Sequence, residues 1–145
     1  NALQSNFWST PGKSFRDVRL DADVAKLSGP DENRIGLLCR FTEGNYYFFM
    51  VSSDGYYTIG KYIGGIATQL GQDQMQLDES IHTGLAVNHL RADCVGKKLT
   101  FYVNGKLVAQ AQDADLFEGD VGLLAGTFTE PGVDVIFDNF LVSQP

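Results

Sequence analysis

Residues 88–105 read NHLRADCVGKKLTFYVNG, and this stretch decides the fold. Leu90, Ala92 and Cys94 fall on one face with Leu99, Phe101 and Val103, while Arg91, Asp93, Thr100 and Tyr102 fall on the other. Successive side chains of a strand point to opposite faces, so this period of two predicts a β-hairpin with one dry face. A glycine-containing turn joins its strands, and Asn104-Gly105 closes it.

The same syntax runs outward in both directions. Phe15–Leu27 alternates with Val18, Leu20, Ala22 and Val24 on one side and ends at the turn-forming run 28–33. Ile35–Phe41 and Tyr46–Ser52 flank a loop at 42–45, and Asp54-Gly55 predicts a two-residue hairpin turn into Tyr56–Ile63, which makes a three-stranded meander. A short strand Ile66–Leu70 leads into the polar stretch 71–79, expected to be a loop or one helical turn. Further strands are expected at Lys106–Gln112, Asp120–Phe128 and Val133–Val142. No segment carries the period of a long amphipathic helix. Residues 1–14 resist assignment, and their Trp8, the sole tryptophan, fits a sheet cap, a surface dock or part of an incomplete first strand region. The start at Asn1-Ala2, without Met, fits a processed product or a cloning scar.

The chain has 145 residues, enough for one core, and residues 1–145 are expected to form a single domain. Sixteen glycines against four prolines suit short strands and tight turns. The net charge of −7 repels polyanions, and the Lys and Arg residues are scattered, so nucleic acid is not an expected partner. No apolar run approaches the length of a membrane span, so membrane insertion is not expected either.

Strands at this spacing predict an all-β fold of two packed antiparallel sheets. Gly36-Leu37-Leu38-Cys39-Arg40, the aromatic strand Tyr46–Val51, the Asp54-Gly55 turn, the Leu99–Gly105 hairpin end, Gly119-Asp120-Val121-Gly122-Leu123 and Phe137-Asp138-Asn139-Phe140 follow one another in the chain. Their order resembles the concanavalin A-like lectin and glucanase superfamily, in particular its laminin G-like jelly rolls. It is also similar to bacterial family-16 glycoside hydrolase-like and 3-keto-disaccharide hydrolase-like domains. The resemblance spans roughly residues 15–142. It implies a jelly-roll β-sandwich, an extracellular or cell-surface location and contact with sugars.

It also implies a calcium ion at the rim, with Asp138 and Asn139 in the family position and Asp113, Asp115 and Asp120 as a second acidic cluster. None of these has the spacing of a known calcium loop, and Asp in turns also caps backbone N–H groups. Cys39 and Cys94 share a side with apolar neighbours and invite a disulfide, favoured by an oxidising compartment, with two buried thiols as the alternative.

Catalysis is not expected. The glucanase branch uses Glu-x-Asp-x-x-Glu on one strand to set two carboxylates beside a glycosidic bond, and that motif is absent. The nearest strand, Asp134-Val-Ile-Phe-Asp138, shares the parity but lacks Glu. His82 and His89, the only histidines, belong to no nucleophile or metal motif and read as a turn position and a strand edge.

Binding is expected on the meander. Pairing Arg40 with Tyr47 across the 42–45 loop puts Cys39, Phe48 and Met50 on the core side. The open side then carries Arg40, Tyr47, Phe49, Tyr56, Thr58 and Tyr62, with Gly60 leaving a gap and Arg91, Asp93 and Tyr102 extending the surface. Sugars stack C–H faces on such rings while Arg, Asp and Tyr give directional hydrogen bonds. The expected function is that of a non-catalytic carbohydrate-binding module of an extracellular protein, with an oligo- or polysaccharide as partner. The alternative is a protein-interaction or spacer domain that meets another extracellular protein domain and binds no sugar. A one-residue slip in register would invert the list of open residues.

Overall fold

The computed structural model describes residues 5–9, 14–72, 74–127 and 134–145, and over them the chain is strand and turn. The strands are β1 (Ser5–Ser9), β2 (Val18–Ser28), β3 (Asn33–Thr42), β4 (Asn45–Val51), β5 (Tyr56–Ile63) and β6 (Ile66–Gln69). They continue with β7 (Gln76–Leu77), β8 (Asn88–Val95), β9 (Lys98–Val103), β10 (Lys106–Gln112), β11 (Asp120–Thr127) and β12 (Asp134–Ser143). One sheet has the order β1-β11-β3-β4-β5-β6, with β7 also on β5, and the other β10-β9-β8-β2-β12. The described pairings are all antiparallel. Among the described residues no helix is long and apolar enough to cross a membrane.

The hairpin at 88–105 forms as its alternation predicts, with Leu90 opposite Val103, Ala92 opposite Phe101 and Cys94 opposite Leu99. These six side chains are buried and face Ile35, Leu37, Cys39, Tyr47, Phe49 and Val51 of the other sheet across one core. The Cys39–Cys94 disulfide crosses that core from β3 to β8. Asn104 and Gly105 take positive φ, the geometry of a two-residue type I′ hairpin turn.

Three local expectations need correction. First, Val51 pairs with Tyr57, and the Ser52 N–H donates to the Tyr56 carbonyl at 2.9 Å, so residues 53–55 form a three-residue loop. There Gly55 has positive φ and Asp54 does not. Second, β3 carries a bulge between Cys39 and Thr42, with Arg40 at φ 55°. Thr42 still pairs with Asn45, but beyond the bulge Cys39, not Arg40, stands opposite Tyr47. One extra residue in β3 shifts the parity of β4 relative to it, so Tyr47 and Phe49, rather than Phe48 and Met50, share the core side with Cys39. Third, the stretch 71–79, expected as a loop or helical turn, includes the two-residue strand β7. β1 also forms in the segment that resisted assignment, with its backbone along β11 and Trp8 opposite Leu123. The expected strand ends at Phe128 and Val133 lie outside the described residues.

Candidate functional site

The bulge moves three expected ligand residues into the interior. Tyr47 and Phe49 are fully buried in the main core, and Phe49 meets Phe101 at 5.8 Å between ring centroids. Arg40, 1% exposed, is a structural clamp. Its Nε and Nη2 donate to the Arg16 carbonyl at 3.0 and 2.8 Å, and its Nη1 to Gly96 at 2.6 Å and Leu116 at 3.1 Å. Arg40 has a left-handed backbone, and its guanidinium ties the carbonyls of three loops together.

Tyr47 closes the same end of the sandwich. Its hydroxyl donates to Asp113 Oδ1 at 2.7 Å and accepts the Leu116 N–H at 3.1 Å. Burial, and then the hydrogen bond to Asp113, push the Tyr47 pKa up to about 12. Lys61 Nζ reaches Asp113 at 2.7 Å and Asp115 at 2.6 Å, so both carboxylates serve an ion-paired latch. Burial raises the Asp113 pKa, but Lys61 and Tyr47 overcome it and hold the carboxyl below its ordinary range.

The remaining expected residues lie on two surfaces that point in opposite directions. Tyr56 and Tyr62 are half-buried on the outer face of the sheet containing β3, β4 and β5. Arg91, Asp93 and Tyr102 sit on the outer face of the other sheet, so they do not extend the meander surface. The Arg91 guanidinium lies 4.4 Å over the Tyr102 ring, and both Arg91 and Arg19 bind the Asp93 carboxylate in pairs of hydrogen bonds. Burial opposes the Asp93 charge, but the two arginines hold its pKa below the ordinary value. Beside them His89 spans Asp21 and Asp23. This face is polar and internally paired, as a solvated antiparallel sheet should be.

The outer face of the β3–β4–β5 sheet breaks that rule. Leu38, Phe48, Met50 and Leu124 form a second apolar cluster there, rimmed by half-buried Phe41, Tyr46 and Tyr62. Phe41 and Tyr46 stack at 5.9 Å, and Tyr46 and Tyr62 at 5.3 Å, so three rings stand side by side across three adjacent strands. The gap expected at Gly60 is filled. A Cβ there would come within 2.1 Å of Phe48 Cζ, so this ring occupies the space above the glycine. Burial, and then the neighbouring Tyr62 phenol, raise the Tyr46 pKa, with the Arg34 guanidinium acting the other way. Rings and phenol hydroxyls thus share one rim. Thr58 lies further along β5 on the same face, with its hydroxyl 3.2 Å from Gln69 Oε1.

Tyr46 and Phe41 were missed from sequence because their parity was assigned from the turn without the bulge, and Arg34 because it precedes the expected strand Ile35–Phe41. His89 was passed over as a strand edge. The Asp21-x-Asp23 spacing on a neighbouring strand was its signal, since alternate residues point the same way.

Asp138 and Asn139, the expected calcium ligands, are engaged within the chain. Asp138 Oδ1 accepts the Asn139 N–H at 2.8 Å, and the Asn139 amide donates to Asp23 at 2.8 Å. Asp120 accepts the Val121 N–H at 2.8 Å. Among the described residues no group of three or more His, Cys, Asp or Glu side chains is placed to hold a metal ion.

Comparison with solved structures settles the architecture. The carbohydrate-binding module CBM66 from Bacillus subtilis superposes with a TM-score of 0.79 at 20% identity, over 97% of this chain and 82% of that one. Sheep galectin-11 gives 0.58 at 18% identity, over 90% and 96%. The fold is a jelly-roll β-sandwich. The GH43 BlXynB protein from Bacillus licheniformis matches with a TM-score of 0.62 at 14% identity, over 90% of this chain but 28% of its own length. No family model matches the sequence, and no curated protein does.

Proposed function

We propose that this protein is a non-catalytic recognition domain of an exported protein that binds glycan on the Phe41–Tyr46–Tyr62 platform. The observation that carries this reading is an outer sheet face that is aromatic where it should be solvated, with its rim half open. The rings offer apolar surface to sugar C–H groups, and the phenols offer directional hydrogen bonds. The jelly-roll fold shared with a named carbohydrate-binding module and a galectin supports it. The inter-sheet disulfide supports an oxidising compartment. Hydrolysis is disfavoured because the Glu-x-Asp-x-x-Glu motif that would set two carboxylates beside a glycosidic bond is absent from the sequence.

The test is a glycan and polysaccharide binding screen on the purified chain, followed by Tyr62→Ala and Tyr102→Ala on any hit. Loss of one stacking ring should weaken binding about tenfold, roughly 1.4 kcal/mol, with the circular dichroism spectrum unchanged. Tyr102→Ala, on the opposite face, should leave affinity as it was. Equal losses in both variants would move the site off the platform. Silence across a broad panel would favour the interaction or spacer reading, in which a partner chain covers the same rings.

A further inference from the structure

The aromatic platform is a stack of rings on edge, and its geometry limits what it can hold. Phe41 and Tyr46 are 5.9 Å apart between centroids with planes 20° from parallel, and Tyr46 and Tyr62 are 5.3 Å apart at 23°. Two rings lying flat in one plane cannot come so close, because their rim atoms would overlap well inside the roughly 3.5–4.0 Å at which carbons pack. Near-parallel rings at these separations are offset-stacked, so each turns a face toward its neighbour. Tyr46 therefore has both faces taken, while Phe41 and Tyr62 each keep one face outside the stack.

The strand register shows which of these two faces is open. β5 pairs with β6, and Ala67 stands directly opposite Tyr62. Cross-strand partners share a face, with Cβ atoms about 4.5–5.5 Å apart, so the row runs through three rings and ends in a single methyl. Ala67 is exposed, and β6 is the last strand of its sheet. At the other end the sheet continues through β11, where Asp120 stands opposite Phe41. The space in which a fourth ring would stand is thus beside Tyr62 and above Ala67. Two residues on, Gln69 lies on the same face opposite Gly60. Its Oε1 accepts the Thr58 hydroxyl at 3.2 Å, which holds the amide with its N–H groups as donors. The turn that carries β6 is fixed as well, for the Gly64 N–H donates to Asn45 Oδ1 at 2.9 Å.

Resting on the glycan reading, we propose that this seat takes one sugar ring, which stacks on the free face of Tyr62 over Ala67 and receives hydrogen bonds from Gln69. The ligand class is then a soluble saccharide held by a single residue. The flat surface of a crystalline polysaccharide needs several ring faces turned outward in one plane, and this stack turns them inward.

The experiment titrates the full chain by calorimetry with mono-, di- and hexasaccharides of the gluco, galacto, manno and fructo series, and adds depletion on microcrystalline cellulose and chitin. At least one soluble series should bind, with affinity changing less than about threefold from di- to hexasaccharide, and neither solid should deplete the protein. Ala67→Leu, which puts a side chain into the seat, should weaken binding by about tenfold or more. Thr68→Leu, on the opposite face of β6, should leave it unchanged. Both positions are exposed, so both variants should fold. A hit that Tyr62→Ala weakens and Ala67→Leu does not would overturn the seat and leave the platform reading standing. So would a steep gain with chain length, an equal loss in Thr68→Leu, or capture by cellulose or chitin. Binding that neither Tyr62→Ala nor Ala67→Leu affects, or no binding by any sugar or solid, would overturn both.

Discussion

His89 carries more chemistry than its position on a strand suggests. Its Nε2 lies 2.9 Å from Asp21 Oδ1 and its Nδ1 2.8 Å from Asp23 Oδ1. A neutral imidazole has one N–H, so only the imidazolium satisfies both contacts. Burial disfavours that charge, but the hydrogen bonds to Asp23 and Asp21 outweigh it, and the His89 pKa is raised. Asp23 is lowered, first by the Asn139 amide and then by His89, so the triad ties β8 to β2 and β12. A raised folded pKa means the stabilisation is complete below the imidazole's ordinary 6.5 and is lost as pH climbs through the folded value. The melting temperature should therefore decline from mildly acidic into mildly alkaline solution, and His89→Gln should flatten that decline. Thermal scans across that range check this, and a parallel profile in the variant would sink it. Arg40 teaches a different lesson at this scale. An Arg in a strand sequence reads as a solvent-facing ligand, and nothing local announces that three loop carbonyls from residues 16, 96 and 116 will converge on it.

Among the elements, β3 decides how much of the site was legible in the sequence. The strands, the Asn104-Gly105 turn and the inward face of the 88–105 hairpin follow from alternation, because a buried stripe and a tight turn reinforce one register. The meander faces do not follow, because Phe48 and Phe49, or Tyr46 and Tyr47, are interchangeable to a hydrophobicity pattern. Both faces of β4 are apolar, so parity had to come from the turn, and the bulge at Arg40 breaks that inference. Tyr62 and Tyr56 survive because β5 lies beyond a turn whose extra residue offsets the error. Gly60 is the point at which this sheet can be tested. An added methyl would meet Phe48 Cζ at 2.1 Å and the Thr68 carbonyl oxygen at 2.7 Å. Gly60→Ala should thus cost about 1–3 kcal/mol in urea unfolding. It should also disturb the platform, since Tyr46 packs edge-on against Phe48 at 6.4 Å. Unaltered stability would mean that the ring does not lie over Gly60.

For the whole molecule the question is what holds two sheets together when one outer face is polar and the other is partly a second core. Across the interior the sheets meet through apolar side chains, which resist separation but specify relative position only by packing. Fixed cross-links add the specificity. Arg40 joins the loop before β2, the β8–β9 turn and the connection before β11, and Tyr47 with Lys61 anchors Asp113 beyond β10. The covalent link is Cys39–Cys94, with Cα atoms 6.9 Å apart and a separation of 55 positions along the chain. Cys39 is next to Arg40, so the disulfide and the clamp fix the same bulged corner of β3. Closing a loop of that length restricts the unfolded chain and stabilises the fold by about 4 kcal/mol in the chain-entropy treatment. For a chain of this size that corresponds to a fall on the order of 10 °C in melting temperature when the bond is cut. Reduction under thermal scanning, and Cys39→Ser with Cys94→Ser in one variant, should both give that drop. The bond is inaccessible, since both cysteines are fully buried, so in the native state reduction should be slow and should speed up on adding urea below the unfolding midpoint. Rapid reduction of the native chain, or a variant as stable as the parent, would show that the sheets are held without this bond.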